Sequence, residues 1–469
     1  MLIHNALAAL PGEKEFRKVD ILVSLGKIKE IFISSSSDPR AKDAEESIDA
    51  SGLLAFPGAI DPHVHFDEPG FTHREDFFHG CAEAARGGVT TVVDMPCTSL
   101  PPVTSKASLI HKLQAIEGKA LVDYAFFGGI NGHFSDQEIE RTVEELSPYV
   151  VGFKAYTISG MESFRAVRDE QFALAASLCH RHGRPILLHA EDPQVIADAQ
   201  AAISLAQEGK HRSWRDYYAS RPSEAEITAC AAAIALAGEA VGSLHIVHVG
   251  TAEAAVMVAN SGATCETCAH YLAFDEEDFE TIGAALKTAP PVKAVRQKAE
   301  LWKLLAAGKI SFLASDHAGS PDYEKFTGDP LTAYGGIPGT GTLFPYLLSE
   351  GFFARRLDLP RFLAATSGDA ARRYGLAQGK GSISPGKDAD LVLVDPEATS
   401  LFEPRAMFSK SKITPFAGMR LAGRIVATFV RGEKVFENKS ISSSFGGAPQ
   451  GGRILAQPGS GKFLQWGYR

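Results

Sequence analysis

Between Gly58 and Ser315 the chain alternates short apolar runs with longer amphipathic ones. The apolar runs are Ala59 to Phe66, Thr90 to Met95, Ala120 to Phe127, Val150 to Tyr156, Pro185 to His189, Leu244 to Val249, Thr264 to Leu272 and Ile310 to Ser315. Helical periodicity fills the gaps, in Glu75 to Arg86, Ser135 to Leu146, Asp169 to His182, Ala252 to Asn260 and Val295 to Ala307, several of which stop at Gly as helix ends prefer. Eight strands alternating with helices over about 260 residues predict an α/β fold, a parallel (β/α)8 TIM barrel. The spacing is uneven only between His189 and Leu244, where a polar insertion, Glu208 to Arg221, precedes a helix from Glu224 to Leu236.

The two ends have a different texture. Ile21-Leu22-Val23 and Ile28 to Ile33 flank Gly26-Lys27, a hairpin signal, and a polar stretch from Ser34 to Glu46 follows. Beyond Gly379 the strand pattern returns in Ala389 to Val394 and Ile425 to Val430, with a turn at Arg431 to Lys434. The tail after Asn438 is rich in Gly and Ser and ends in Phe463, Trp466 and Tyr468, aromatics suited to docking on a neighbouring subunit.

Composition narrows the function. With 45% hydrophobic and 22% charged residues the chain reads as a soluble globular protein. A net charge of −9 without a Lys/Arg-rich run argues against a nucleic-acid partner. No apolar run has the length of a membrane span and Met1 to Leu10 lacks a basic start, so no membrane partner and a cytoplasmic location are expected. The six cysteines suit reduced thiols in so long a chain, and Cys265-Glu266-Thr267-Cys268, a single CxxC, argues against a structural zinc site.

In a barrel of this kind chemistry sits at the carboxyl ends of the strands. The first run ends in His63-Val64-His65, the fourth in Lys154-Ala155-Tyr156, the fifth in His189-Ala190-Glu191-Asp192, the sixth in His248-Val249-Gly250 and the eighth in Ser315-Asp316-His317. Residues two apart on a strand share a face, so His63 and His65 can chelate one ion. Five of the fifteen histidines thus fall on one rim, a concentration that chance placement does not produce.

Those stretches carry a family resemblance. Phe56-Pro57-Gly58-Ala59-Ile60-Asp61-Pro62-His63-Val64-His65, Glu68-Pro69-Gly70, Gly87 to Pro96, Gly152-Phe153-Lys154-Ala155, Leu188-His189-Ala190-Glu191, Ile246-Val247-His248-Val249, His270-Tyr271-Leu272, Ala289-Pro290-Pro291 and Ser315-Asp316-His317 span nearly the whole chain. They resemble the cyclic-amide hydrolases of the amidohydrolase superfamily, the allantoinase, hydantoinase and dihydroorotase group. The resemblance implies two divalent metals, most often zinc, with His63, His65 and Asp316 on one and His189 and His248 on the other. It implies that Lys154, carboxylated by CO2, bridges them as an anionic carbamate. It further implies that a metal-bridging hydroxide opens the ring, with Asp316 passing the proton to the leaving nitrogen. His245 lacks the match and reads as structural. The two ends would pair in a small β-sandwich, giving residues 1–56 and 379–438 to the sandwich, 57–378 to the metal-dependent barrel and 439–469 to the tail. A homodimer or homotetramer acting on a small cyclic amide is expected.

Substrate choice turns on departures from the family pattern. Dihydroorotases resemble one another in an Arg, an Asn and a His that hold the substrate carboxylate, and here those positions are Asp67, Ala289 and Ser320. An acid in place of the cation repels a carboxylate, which disfavours dihydroorotase. The Tyr that hydantoinases place five residues after the bridging Lys is Ser159. The allantoinase pattern fits better, through Val93 to Pro96, Ser99 to Pro102, Phe153 to Tyr156 and Ser159-Gly160, although its two Asn positions are Asp67 and Thr98. Asp67, Thr98, Ala289 and the Gly-rich Gly335 and Gly336 are therefore the candidate substrate contacts, with Asp67 suiting a ligand rich in N–H donors. The reading from another class, a catalytically silent scaffold, has no chemical need for Lys154 and Asp316 together.

Overall fold

The computed structural model describes residues 1–33, 46–206, 211–438 and 452–469. The polar stretch from Ser34 to Glu46, the Gly/Ser-rich start of the tail and the insertion at Glu208 fall wholly or partly outside the described residues.

Every apolar run of the central region forms a strand, and every pairing between those strands is parallel. In order they are Ala59–His65, Val89–Asp94, Asp123–Phe126 continued by Gly128–Gly129, Phe153–Tyr156, Ile186–His189, Leu244–Ile246, Thr264–Cys268, and Phe312–Ala314 continued by His317–Ala318. The third and eighth strands are each interrupted, and each half pairs with a different neighbour. Counted as one strand apiece, they close the ladder, with His317 beside Val64 and Phe312 beside Glu266. The strands are buried almost end to end because helices cover their outer face, which is why they read as continuous apolar runs.

The helices start and stop where local chemistry tells them to. Asp76 caps Phe77–Arg86, a Ser135–Glu138 capping box opens Asp136–Leu146, and Gly262, with φ of 90°, ends Ala252–Ser261. The strand run from Thr264 stops at Cys268 and continues as a short helix, Ala269–Ala273. The segment Trp214–Ser243 is long and apolar enough by composition to match a membrane span. Its pieces, Trp214–Ala219, Ser223–Ala237 and Gly238–Ser243, bury Tyr217, Ala225, Ala229, Cys230 and Ala233.

Both chain ends enter one nine-stranded sheet. Its seam is Leu54–Pro57 against Leu391–Leu401, antiparallel, with Pro57 opposite Leu391. Gly58 joins this sheet to the first barrel strand, and a Cβ there would lie 2.1 Å from Thr90 Oγ1, so the close approach requires glycine. The final segment packs on its own barrel: Leu464 is fully buried, Phe463 stacks on Tyr124 at 5.8 Å, and Arg184 lies 4.5 Å over the Trp466 ring. The tail aromatics expected to serve a neighbouring subunit are thus engaged within the chain.

Candidate active site

The carboxyl ends of the strands surround a cavity of about 340 Å³. His63, His65, His189, His248 and Asp316 line it, together with Thr98, Ala289 and Gly335. Three residues at the rim hold left-handed backbone, Asp67 at φ 56°, His248 at 41° and Asp316 at 50°. Each costs roughly 1–3 kcal/mol unless the local turn compensates, and such strain concentrates where side-chain direction matters. Asp316 sits in the break of the eighth strand, which turns its carboxylate toward the first.

Two groups of donors converge. In the first, Asp316 Oδ1 lies 3.2 Å from His63 Nε2 and 3.3 Å from His65 Nε2. In the second, His189 Nδ1 is 2.9 Å from His248 Nε2. These separations suit ligands sharing one tetrahedral ion, whose edge is about 3.3 Å for metal–nitrogen bonds near 2 Å. Carboxylates behind the histidines set which nitrogen faces inward. Glu266 Oε1 is 2.6 Å from His63 Nδ1, and Glu191 Oε2 is 3.1 Å from His189 Nε2. With each proton assigned to its carboxylate side, His63 Nε2 and His189 Nδ1 present lone pairs to the interior. Glu266 also meets His245 Nε2 at 3.3 Å, whose Nδ1 reaches Thr264 Oγ1 at 2.7 Å, so His245 belongs to the support.

Lys154 is fully buried and its Nζ has no hydrogen-bond partner among the described residues. Burial pulls its pKa down to about 8. A buried amine without an acceptor is costly unless something completes it. Burial would raise the Asp316 pKa, but His63, His65 and His248 outweigh it and hold the carboxyl well below its usual range. Burial pushes His63, His189 and His248 down, which keeps them neutral ligands. His65 differs, because Cys97 and Asp316 outweigh its burial and push it up to about 10, a proton that a bound cation would displace. With three neutral imidazoles, a carboxylate and an amine open to carboxylation beside it, the donor set fits divalent metal ions.

The remaining sequence candidates separate. Asp67 and Gly336 lie beside the cavity but do not line it, and burial pushes the Asp67 carboxyl up to about 7. His317 shares the rim but binds Glu75 at 3.2 Å and accepts from the Thr340 N–H, away from the cavity. Four wall residues with no role assigned from sequence stand out. Tyr156 stacks on His189 at 5.2 Å and its hydroxyl meets Cys97 Sγ at 3.0 Å. Arg74 and Arg221 line the wall as cations. Only Tyr156 carried a usable signal, since it lies two residues beyond Lys154 on the same strand face.

Comparison with known proteins agrees with this geometry. The sequence model of the amidohydrolase family matches residues 54–435. An allantoinase of Rubrobacter xylanophilus is 41% identical over 428 residues, 90% of this chain and 89% of that protein. An allantoinase of Escherichia coli is 35% identical over 468 residues, 97% of this chain and 98% of that one. Among solved structures, an L-hydantoinase (dihydropyrimidinase) from Arthrobacter aurescens superposes with a TM-score of 0.89 at 30% identity, covering 99% of both chains.

Proposed function

Because the chain belongs to the amidohydrolase family and is a metal-dependent hydrolase of cyclic-amide C–N bonds, we propose that its substrate is a cyclic ureide of the allantoin type. The observation that carries the site is the pair of converging donor groups, with the buried, unpartnered Lys154 amine near enough to act electrostatically on His63, His189 and His248, although it does not itself line the cavity. In this reading His63, His65 and Asp316 hold one metal and His189 and His248 the other. Lys154, carboxylated by CO2, would offer them an anionic carbamate in place of a cation that two dications would repel. Imidazole nitrogens with carboxylate oxygens suit zinc. Bound there, divalent ions polarise a ring carbonyl and lower the pKa of water by several units.

The chain's own residues do the rest. The Asp316 carboxylate, kept ionised by its histidines, takes the proton of the attacking water and returns it to the leaving ring nitrogen. Glu266 and Glu191 fix the imidazoles so that no reorientation accompanies the reaction. Thr98, Ala289 and Gly335 form wall against which the ring lies, while Asp67 and Gly336 act from just behind it. The allantoinase relatives support a ureide over a simple hydantoin. Six unpaired, buried cysteines support a reducing, cytoplasmic setting.

The test is metal analysis with ring-opening assays on allantoin, substituted hydantoins, dihydrouracil and dihydroorotate. About two metals per chain and preferred turnover of allantoin are expected. Preferred turnover of dihydroorotate would overturn the ureide assignment, and a metal-replete preparation that opens no ring would favour the silent scaffold.

A further inference from the structure

Two guanidinium groups line the cavity, and they are not equivalent. Arg74 is committed: its Nε donates to Glu324 at 2.7 Å and its guanidinium lies 4.5 Å over the Tyr334 ring. Arg221 is not. Among the described residues its guanidinium makes one polar contact, Nη2 to Glu191 Oε2 at 3.2 Å, and Nε has no partner. A guanidinium carries five N–H donors in a planar fork, so most of its capacity is unspent. The side chain is 16% exposed, and it lines the cavity.

Its position is informative as well. Arg221 follows the helix Trp214–Ala219 and leans on Glu191, two residues past the fifth strand, whereas His63 and His65 end the first. In a ring of eight, the first and fifth strands face each other. Arg221 therefore stands across the cavity from the first donor group, where a substituent on a ring held at the metals would extend. Glu191, whose Oε2 lies 3.2 Å from Nη2, pairs with its charge. That stretch of wall thus offers N–H donors without net positive charge, which suits a neutral oxygen acceptor better than a carboxylate.

We propose that Arg221 determines specificity by donating to the carbonyl oxygen of a ureido arm on the substrate ring, an inference that rests on the cyclic-ureide reading above. Arg221 contacts the arm rather than the reacting carbon, so its loss raises KM more than it lowers kcat.

The experiment compares wild type with Arg221→Gln and Arg221→Lys on allantoin, on 5-methylhydantoin, which lacks the arm's carbonyl, and on dihydroorotate, each as substrate or competitive inhibitor, with metal content measured in parallel. The expected result is a fall of roughly tenfold to hundredfold in the preference for allantoin over 5-methylhydantoin, the effect of one charge-assisted hydrogen bond, at wild-type metal content. Equal losses on both rings, or loss of metal, would mean that Arg221 acts only through Glu191 and His189, and would overturn the proposal. A preference of wild type for dihydroorotate that Arg221→Gln abolishes would assign the residue to a carboxylate arm and overturn it too. Wild type opening no ureide would instead remove the functional reading itself, a separate outcome.

Discussion

Two lysines buried at opposite ends of the same barrel meet opposite fates. Lys380 lies near the amino end of the third strand, where its Nζ is 2.5 Å from Asp123, 2.8 Å from Asp388 and 2.7 Å from Asp390. Arg431 and Lys27 complete that cluster, and the three carboxylates alone have the spacing of a metal site. Here the protein supplies its own cation. Burial opposes the Lys380 charge, but Asp390 and Asp388 outweigh it and raise its pKa. Lys154, at the catalytic end, is just as buried and has no hydrogen-bond partner among the described residues. A polar cluster completed by its own chain is structural, whereas one that stops short of completion marks a place where something else binds.

Replacing the two lysines in turn breaks that comparison most directly. Lys154→Met is expected to lower ring-opening activity by at least about a thousandfold and metal content to below about one ion per chain, since the proposed bridge between the donor groups would be lost. Its unfolding midpoint in urea, measured on metal-free protein, should hold or rise, because a desolvated amine is replaced by an apolar chain. Wild-type metal content in this variant would remove Lys154 from the centre. Lys380→Met inverts the pattern. Taking the shared cation from three buried carboxylates, which leaves Asp390 without an ion-pair partner among the described residues, should cost about 3–5 kcal/mol of stability while activity per folded molecule and metal content persist.

Glu266→Gln sharpens the distinction between ligand and support. The neutral amide oxygen accepts more weakly from His63 Nδ1–H than the carboxylate does, so the inward-facing tautomer is less favoured and metal affinity should fall roughly tenfold to a hundredfold, measured by competition with a chelator. An unchanged affinity would confine Glu266 to packing.

The pH dependence of the structural cluster follows from the raised Lys380 pKa. A lysine held above its ordinary 10.5 contributes fully below that pH, and the contribution is lost as pH rises through the folded value. The gap in urea midpoint between wild type and Lys380→Met should therefore be full at pH 8 and shrink above 10.5. Asp388, held low by Lys380 and Lys27 against its burial, works at the other end, and its contribution disappears as pH falls below 3.8. A gap that widens with alkaline pH would contradict the pairing.

Legibility in sequence differed between the two ends for a physical reason. The catalytic rim was readable because histidines, a lysine and an aspartate interrupt apolar runs that otherwise have to be buried, and strand ends bring them together whatever lies between. The barrel was legible for the same cause, although the run from Thr264 hid a change from strand to helix, since both faces there are apolar. The helix Pro193–Ala206, dominated by alanine and short polar residues, left no clear period. Arg221 closes a polar insertion, and nothing local ties it to Glu191. The Lys380 cluster was equally hidden, since Asp123 and Lys380 are 257 residues apart and ordinary taken singly.

The smallest expected effect concerns the tail, which closes the structural end. Lys462 donates its backbone N–H to Asp123 Oδ1 at 2.8 Å, and Phe463 lies against Tyr124 and Phe126, with centroids at 5.8 and 5.3 Å. Phe463→Ala removes that ring packing but leaves the backbone bonds of the segment in place. A loss of about 1–2 kcal/mol is expected, less than for a fully buried aromatic because Phe463 is only half-buried. Activity and metal content should not change, since the third strand carries no donor to the cavity. If ring opening fell in Phe463→Ala protein that remained folded, the two ends of the barrel would be coupled through that strand, and the separation drawn between Lys154 and Lys380 would no longer hold.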